Sequence, residues 1–418
     1  MSGPWKIPAT WQWSTMGEVA EVVGGGTPRT SRAEYYGGDI PWITPADLSG
    51  YSEKRISRGA RSITRVGLEN SSARLMPAET VLFSSRAPIG YVAIAANPVC
   101  TNQGFKSFVL RDGLMPDYVY YHLQHAKSLA VELASGTTFL EISGKKAAKI
   151  PIPVAPVDEQ CRIVAEIEKQ FTRFEVGVVA LRRVQANLKR YRAAVLKAAC
   201  EGHFFTTERN QWEDLTLKEL LLHSDSVFID GDWVESKDQD PNGEVRLIQL
   251  ADIGDGVFRD RSNRFLTKAK ALELGCTFLA PGDVLVARMP DPLGRACIFP
   301  GSKRECVTVV DVCVVRSTAS NFDARWLMHT INAPEVRAQI ASLQAGSTRK
   351  RISRKNLATI RLGVPSLIEQ KRIVAEVERR LSVVEEMETV VSANLQRATR
   401  LRQAVLQKAF SGQLCAHV

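Results

Sequence analysis

The sequence predicts an α+β protein built from two globular domains, each followed by one long helix. Three observations support this fold class: an internal repeat, helical periodicity within the repeated segments, and strand-like segments between them. The repeat is clearest where Glu159–Glu168 returns as Glu369–Glu378, with eight of ten positions identical at an offset of 210 residues. Because self-similarity at a fixed period marks duplicated structural units, the chain is expected to contain two copies of one unit.

The two copies divide the chain into four segments. Upstream of the repeated helices the copies match only loosely, at an offset of about 205 residues, as in Ala46-Asp47-Leu48 and Ala251-Asp252-Ile253. The globular parts have therefore diverged more than the helical parts. We expect a first globular domain at 1–155, a first long helix at 156–204, a second globular domain at 205–364 and a second long helix at 365–414.

The repeated segments carry the heptad pattern of a coiled coil, in which apolar residues alternate at spacings of three and four. Gly202 and Gly412 then provide C-terminal stops. Two matched stripes predict that the helices pair as an antiparallel coiled coil with pseudo-twofold symmetry. The first stripe comprises Val164, Ile167, Phe171, Phe174, Val178, Leu181, Gln185, Leu188, Arg192 and Val195, and the second Val374, Val377, Leu381, Val384, Glu388, Val391, Leu395, Ala398, Arg402 and Val405.

Short strands and turns are expected in the globular parts. In the first, Val81–Phe83, Tyr91–Ala95 and Phe108–Leu110 read as strands between Gly- and Pro-rich turns, and a helix is expected near Asp117–Ala134.

Composition and charge narrow the class of protein. The chain has 418 residues and 55 Lys plus Arg against 45 Asp plus Glu, a net charge of +10 that favours a polyanionic partner. No apolar run is long enough to cross a membrane, and the first residues lack the apolar core of a signal peptide. The eight cysteines show no CxxC spacing and are expected to be reduced thiols. A cytoplasmic protein is expected.

Motifs for catalysis are mostly missing. The sequence has no GxxxxGK[ST] loop for nucleotide phosphates and no Asn-Pro-Pro-aromatic motif for base methylation. Gly24-Gly25-Gly26 favours a turn over a cofactor loop because the spacing of GxGxxG is absent. Glu235-Ser-Lys237, after Asp230 and Asp232, resembles the acidic pair and lysine of some metal-dependent nucleases. His122 and His125 share a helix face, but no further zinc ligands lie nearby.

Several motifs resemble those of type I restriction–modification specificity subunits. They are Gly25-Gly26-Thr27-Pro28, Tyr35-Tyr36-Gly37-Gly38-Asp39-Ile40-Pro41-Trp42-Ile43-Thr44, Asn102-Gln103-Gly104-Phe105 and the repeated Glu-Gln-x-Arg-Ile-Val helix entry. The resemblance covers essentially the whole chain, in the order target recognition domain, long helix, target recognition domain, long helix. The second domain lacks the Gly-Gly-Thr-Pro and Tyr-Tyr-Gly-Gly motifs and has Asp230-Gly-Asp-Trp233 and Arg246–Asp252 in that region.

The resemblance implies a DNA-binding subunit that does no chemistry. Two dissimilar recognition domains would read two different half-sites, so the double-stranded DNA target is expected to be bipartite and asymmetric. The partners would be two adenine methyltransferase subunits and, in a complete phage-defence complex, restriction subunits that translocate and cut DNA. S-adenosylmethionine, ATP and Mg²⁺ would belong to those partners, and no cofactor or metal is expected on this chain.

Candidate DNA contacts lie in turns that carry cations and in two basic runs. Base contacts are expected from Ser85, Arg86, Lys106, Arg288 and Arg295. Phosphate contacts are expected from Lys145 and Lys146 and from the run Arg349, Lys350, Arg351, Arg354 and Lys355, which places five cations in seven residues. Two other functions stay open: a nucleic-acid-binding coiled-coil adaptor without sequence preference, and a nuclease that uses Glu235-Ser-Lys237.

Overall fold

The chain forms two compact units, and each contains one globular part together with portions of both long helices. The first unit comprises Met1–Leu181 and Ala393–Val418, and the second comprises Arg182–Ser392. The computed structural model describes residues 3–136, 140–204, 211–222, 226–290, 292–316, 322–346 and 350–415. The division of the chain into four consecutive segments stays a prediction. The two compact units are grouped differently, because each combines residues from separate stretches of the chain or from parts of both long helices.

The two long helices confirm the heptad analysis. The first long helix runs from Val157 to Cys200 and the second from Leu367 to Phe410, 44 residues each, or about 66 Å at 1.5 Å per residue. Acidic residues open both helices and a lysine lies in each last turn, which suits the helix dipole. Gly202 and Gly412 follow with φ of 73° and 76°, the left-handed conformation that ends helices.

Every residue of the two predicted stripes is buried or half-buried, which confirms the heptad register. Within the first unit, Arg402 of the second long helix pairs with Glu175 of the first at 3.3 Å. Within the second unit, Arg192 of the first long helix pairs with Glu385 of the second at 3.5 Å. As one helix advances from 175 to 192, its partner therefore runs back from 402 to 385, so the helices are antiparallel.

The globular part of the first unit contains three sheets. The strands of a five-stranded sheet lie in the order Ala20–Gly24, Lys106–Leu110, Val81–Phe83, Val92–Ala95, Arg55–Ile56. Those of a three-stranded sheet lie in the order Arg61–Ile63, Tyr36–Ile43, Cys100–Thr101. The third sheet is the pair of strands Gln12–Thr15 and Pro151–Val154. The helical segments are Met16–Val19, Ala33–Tyr35, Pro45–Leu48, Arg65–Glu69, Pro116–His125, Lys127–Leu133 and Gly144–Ala147. The three expected strands are present, and the expected helix near 117–134 is two helices that meet at Ala126.

The globular part of the second unit repeats this plan with fewer residues in its main sheet. The strands of a four-stranded sheet lie in the order Val227–Asp230, Val312–Arg316, Val284–Ala287, Ala296–Ile298. Those of a three-stranded sheet lie in the order Phe265–Leu266, Val245–Ile248, Cys306–Thr308. A further sheet is the pair of strands Glu213–Thr216 and Arg361–Val364. The helical segments are Leu217–Leu222, Ser236–Asp238, Leu250–Asp252, Lys268–Glu273, Ala324–Asn332, Pro334–Ser342 and Arg354–Leu357. The main sheet packs its apolar side chains against both helices at 324–342 and against portions of the long helices.

Each long helix begins with the same buried anchor. Gln160 is fully buried; its amide oxygen accepts from the Met115 N–H at 3.0 Å and its amide nitrogen donates to the Gly113 carbonyl at 2.9 Å. Gln370 is equally buried and accepts from the Asp323 N–H at 2.8 Å. Since buried polar groups must be hydrogen-bonded, this Gln fixes the start of each helix on its own globular part. In the described part of the chain, no helix combines the length and apolarity that a membrane crossing requires.

Candidate nucleic-acid interface

The motif loops of the first unit gather at one place in the fold. The Gly26 N–H donates to the Thr101 carbonyl at 2.9 Å, and the Trp42 indole donates to the Gly26 carbonyl at 2.8 Å. A Cβ added at Gly25 would lie 1.8 Å from the Asn102 carbonyl oxygen, so the glycines are required for close packing of two loops. This confirms the turn expected for Gly24-Gly25-Gly26. Beside it, the Thr27 hydroxyl donates to the Gln103 amide oxygen.

A carboxylate orders the neighbouring loop. Asp47 accepts from the Thr44 N–H at 2.7 Å and from the Ala60 N–H at 2.8 Å. Burial opposes ionisation of this carboxyl, but the hydrogen bonds from Ala60 and Thr44 outweigh it and lower the pKa of Asp47. In the second unit Asp252 plays the same part, accepting from the Gln249 N–H at 2.8 Å.

Cations surround Glu141 on the face formed by these loops. Arg86 lies 3.6 Å and Lys106 3.7 Å from the Glu141 carboxylate. The short helix Gly144–Ala147 begins next to this cluster and carries Lys145, which is exposed, and Lys146, which is half-buried. The structure therefore brings four predicted DNA-contacting residues of the first unit together.

Backbone hydrogen bonds identify the equivalent positions in the second unit. The Ile142 N–H donates to the Ser85 carbonyl, just as the Ile352 N–H donates to the Arg288 carbonyl. These bonds make Ser85 the structural equivalent of Arg288. The next residues, Arg86 and Met289, are therefore equivalent as well. The antiparallel bridge Ser135–Glu141 in the first unit corresponds to Ala345–Arg351 in the second, so Glu141 and Arg351 occupy equivalent positions. The first unit thus has a cation, Arg86, where the second has the apolar Met289. It has an acid, Glu141, where the second has the cation Arg351.

The second unit has an open groove of about 730 Å³ at this position. Among the residues that line it are Trp233, Gln239, Gln249, Met289 and Arg351. Lys350, Arg351, Arg354 and Lys355 are exposed beside it, and Arg354 is tied down by Asp230 at 3.4 Å. Arg349 lies outside the described residues. Sequence reasoning singled out the segments that contain Trp233 and Gln249 but selected neither residue as a DNA contact, and it did not mark Gln239 or Met289. No local pattern shows which loops of a divergent domain share a face.

Three predicted base contacts need correction. Ser85 is fully buried, and Arg288 and Arg295 are 3% and 5% exposed. The Arg295 guanidinium donates to the carbonyls of Ile253, Leu250 and Pro292 at 2.6, 2.8 and 2.9 Å. The Arg288 guanidinium pairs with Asp230 at 3.2 Å and donates to the Val310 carbonyl. Both arginines hold the loops behind the groove in place, so we remove these three residues from the candidate DNA contacts.

The acidic residues singled out for nuclease chemistry are each held by other contacts. Asp230 is occupied by Arg288 and Arg354. Asp232 accepts from the Thr277 N–H at 3.1 Å, and burial raises its pKa. Lys237 pairs with Glu235 at 2.8 Å in solvent. Where the structure describes residues, no three of His, Cys, Asp or Glu cluster as metal ligands would.

His122 and His125 are part of the core of the first unit. His122 is fully buried with its Nε2 2.8 Å from the Pro151 carbonyl, and burial lowers its pKa to about 3. His125 stacks on the Phe410 ring at 5.7 Å between centroids. Both residues therefore pack against the end of the second long helix.

Comparisons with known proteins agree with this architecture. The family model described as the type I restriction modification DNA specificity domain matches residues 8–176. The MjaIX specificity subunit of Methanocaldococcus jannaschii is 45% identical over 161 residues, which is 38% of this chain and only 37% of that relative. The EcoBI specificity subunit of Escherichia coli is 23% identical and covers 95% of this chain and 79% of its own. The StySPI specificity subunit of Salmonella potsdam is 24% identical and covers 98% and 90%.

Solved structures show the same fold over the whole chain. A chain from a study of complex assembly and conformational transition of the type I R-M system superposes with a TM-score of 0.75 at 20% identity, covering 98% of this chain and 100% of that one. The HsdS subunit from Thermoanaerobacter tengcongensis gives a TM-score of 0.52 at 19% identity, with 98% and 99% covered. The predicted α+β fold with two globular domains and packed long helices is thereby confirmed.

Proposed function

Because this chain belongs to the type I restriction–modification DNA specificity subunits, we propose that its two units recognise two different half-sites of one asymmetric DNA target. The observation that carries the proposal is the different chemistry at equivalent loop positions. Arg86 and Glu141 in the first unit stand where Met289 and Arg351 stand in the second. Since hydrogen-bond donors and apolar groups select different base edges in the major groove, Arg86 and Met289 favour different base sequences, while Arg351 adds a backbone contact that Glu141 cannot make.

Binding combines phosphate contacts with base contacts. Lys145 and Lys146 in the first unit, and Lys350, Arg351, Arg354 and Lys355 in the second, supply salt-dependent affinity for the backbone. Arg86 and Lys106 read bases once DNA replaces their contact with Glu141. Each bidentate base contact contributes about 1–3 kcal/mol of discrimination.

The chemistry of modification and cleavage takes place on partner subunits in the cytoplasm. Two adenine methyltransferase subunits bring S-adenosylmethionine, and restriction subunits bring ATP and Mg²⁺. The chain itself directs these enzymes to the target and does not catalyse a reaction. An adaptor without sequence preference is the alternative, and competitor DNA distinguishes the two: the adaptor would lose its labelled duplex equally to any sequence.

Methylation mapping tests the proposal directly. The chain is expressed with its own methyltransferase subunit in a methylation-free host that carries a plasmid library, and modified adenines are located by long-read sequencing. One bipartite motif with different half-sites, absent when this chain is omitted, is the expected result. A co-purified complex that modifies no motif would contradict the proposal and favour the adaptor.

A further inference from the structure

Trp233 is the exposed tryptophan of this protein. Its residue is 69% exposed, whereas the other six tryptophans are buried or half-buried. An indole that stays in water does not contribute the large favourable free energy that burial of an aromatic side chain provides. Tryptophan is also the residue type most enriched among the dominant contacts of binding surfaces. Its exposure at the wall of the open groove of the second unit therefore indicates a binding role.

The backbone beneath this side chain is held firmly. The Asp232 N–H donates to the Thr308 carbonyl at 2.7 Å, and the Gly231 N–H donates to the Val312 carbonyl at 2.8 Å. A Cβ at Gly231 would lie 2.2 Å from the Val309 carbonyl oxygen, so only glycine fits at this close approach. The Trp233 indole donates to the Glu235 carboxylate at 3.3 Å. The ring is therefore presented in advance, which reduces the entropy lost on binding.

The remaining lining of the groove suits DNA. Gln239 and Gln249 contribute amide groups, which can pair with adenine edges, and Met289 contributes an apolar surface. Arg351 is exposed and lines the groove. With Lys350 and Lys355 also exposed beside the groove, the rim is cationic while the wall is aromatic. A duplex matches this pattern because its phosphates flank its base edges.

We propose that Trp233 is a specificity-determining residue of the second unit, whose ring packs against base edges of the second half-site in the major groove. The proposal rests on the function proposed above. The Gly26 N–H donates to the Thr101 carbonyl in the first unit, as the Asp232 N–H donates to the Thr308 carbonyl in the second. The next residues, Thr27 and Trp233, therefore occupy equivalent positions. Two units with a hydroxyl and an indole at one reading position discriminate bases differently.

Methylation mapping with three variants tests the assignment. Trp233→Ala is expected to keep the bases of the first half-site, to tolerate additional bases at one or two positions of the second, and to lower the methylated fraction about ten-fold, since a base contact of about 1.4 kcal/mol corresponds to a factor of ten. Trp233→Phe keeps an aromatic surface and is expected to keep the motif. Leu272→Ala is the matched control, because Leu272 is 62% exposed in the same unit but does not line the groove.

Fluorescence of the wild-type complex keeps the test decisive if Trp233→Ala fails to fold. The emission removed by Trp233→Phe belongs to Trp233, and its quenching by acrylamide is measured with and without duplex. Protection by the full target, lost when only the second half-site is scrambled, supports the proposal. Equal quenching with both duplexes, or an unchanged motif in a folded Trp233→Ala complex, overturns it while leaving the specificity function intact. A wild-type complex that modifies no motif would instead overturn the specificity function itself.

Discussion

Arginines in this protein serve two distinct purposes that their sequence contexts do not separate. Arg86 and Arg288 both follow a buried strand of their unit's largest sheet, yet the first is half-exposed beside Glu141 and the second is 3% exposed beside Asp230. The difference depends on Asp230, which lies 58 positions upstream of Arg288 in the chain. Because such partners are distant in sequence, residue type and turn context could not tell surface cations from buried ones.

Replacing the buried arginine should therefore destabilise the second unit. Arg288→Ala leaves the Asp230 carboxylate without its closest cation and frees the Val310 carbonyl. Breaking a fully buried pair by removing one partner costs about 3–5 kcal/mol, and the cost here should be smaller because Asp230 is 35% exposed and keeps Arg354 at 3.4 Å. We expect a clear fall in the thermal unfolding midpoint. Arg86→Ala, on an exposed pair, should change stability by less than about 1 kcal/mol while weakening DNA binding. Equal stability of the two variants would contradict the assignment.

Two buried histidines should make the folded protein sensitive to mild acid. Burial lowers the pKa of His122 to about 3 and that of His329 to about 4. Since the unfolded histidines titrate near 6.5, the unfolded chain binds more protons below that pH, and stability falls as pH decreases from about 6.5 toward 4. Each histidine contributes a slope of about 1.4 kcal/mol per pH unit in this window.

Denaturant unfolding between pH 7 and 5 measures this slope. The double variant His122→Gln, His329→Gln is expected to unfold with a shallower pH dependence than the parent chain. His203→Gln provides the comparison at an exposed histidine. A slope that persists in the double variant would show that other groups cause it.

The long helices were the most predictable elements, for a physical reason. A stripe of apolar residues at heptad spacing has one face to bury, and a second stripe in the same register offers the matching surface. The ion pairs that join the helices were not predicted. Arg192–Glu385 and Arg402–Glu175 are equivalent at the offset of 210, but opposite charges pair across helices only once the antiparallel alignment is known.

The heptad stripe should stabilise the protein more than these exposed ion pairs do. Leu381 is 6% exposed and packs in the core of the second unit, so Leu381→Ala is expected to cost about 2–5 kcal/mol through lost burial and a cavity. Leu401 on the same helix is 41% exposed, and Leu401→Ala should cost far less. Denaturant unfolding of both variants checks the register, and a reversed order would contradict it.

The whole chain uses one duplicated plan in which the long helices and their entries vary less than the loops of the globular parts. Glu159 and Glu369 each accept a hydrogen bond from a tryptophan, Trp11 and Trp212, so the helix entry is identical in both copies. At the loops that carry Arg86 in the first copy and Trp233 and Met289 in the second, by contrast, the two copies differ in charge and in aromatic content. Helix length is therefore the feature that the two copies share most strictly, 44 residues in each.

This shared length predicts how the spacing between half-sites can be changed. Seven residues inserted after Leu181 and seven after Ser392 preserve the heptad phase of both helices. They add about 10 Å at 1.5 Å per residue, or roughly three base pairs. Methylation mapping should then return the same two half-sites separated by a longer gap. Insertion into one helix only is the control, because the two helices then differ in length by one heptad, so that residues beyond the insertion pair one heptad out of place, and modification should be abolished. An unaltered gap in the double insertion would show that elements other than the long helices set the distance.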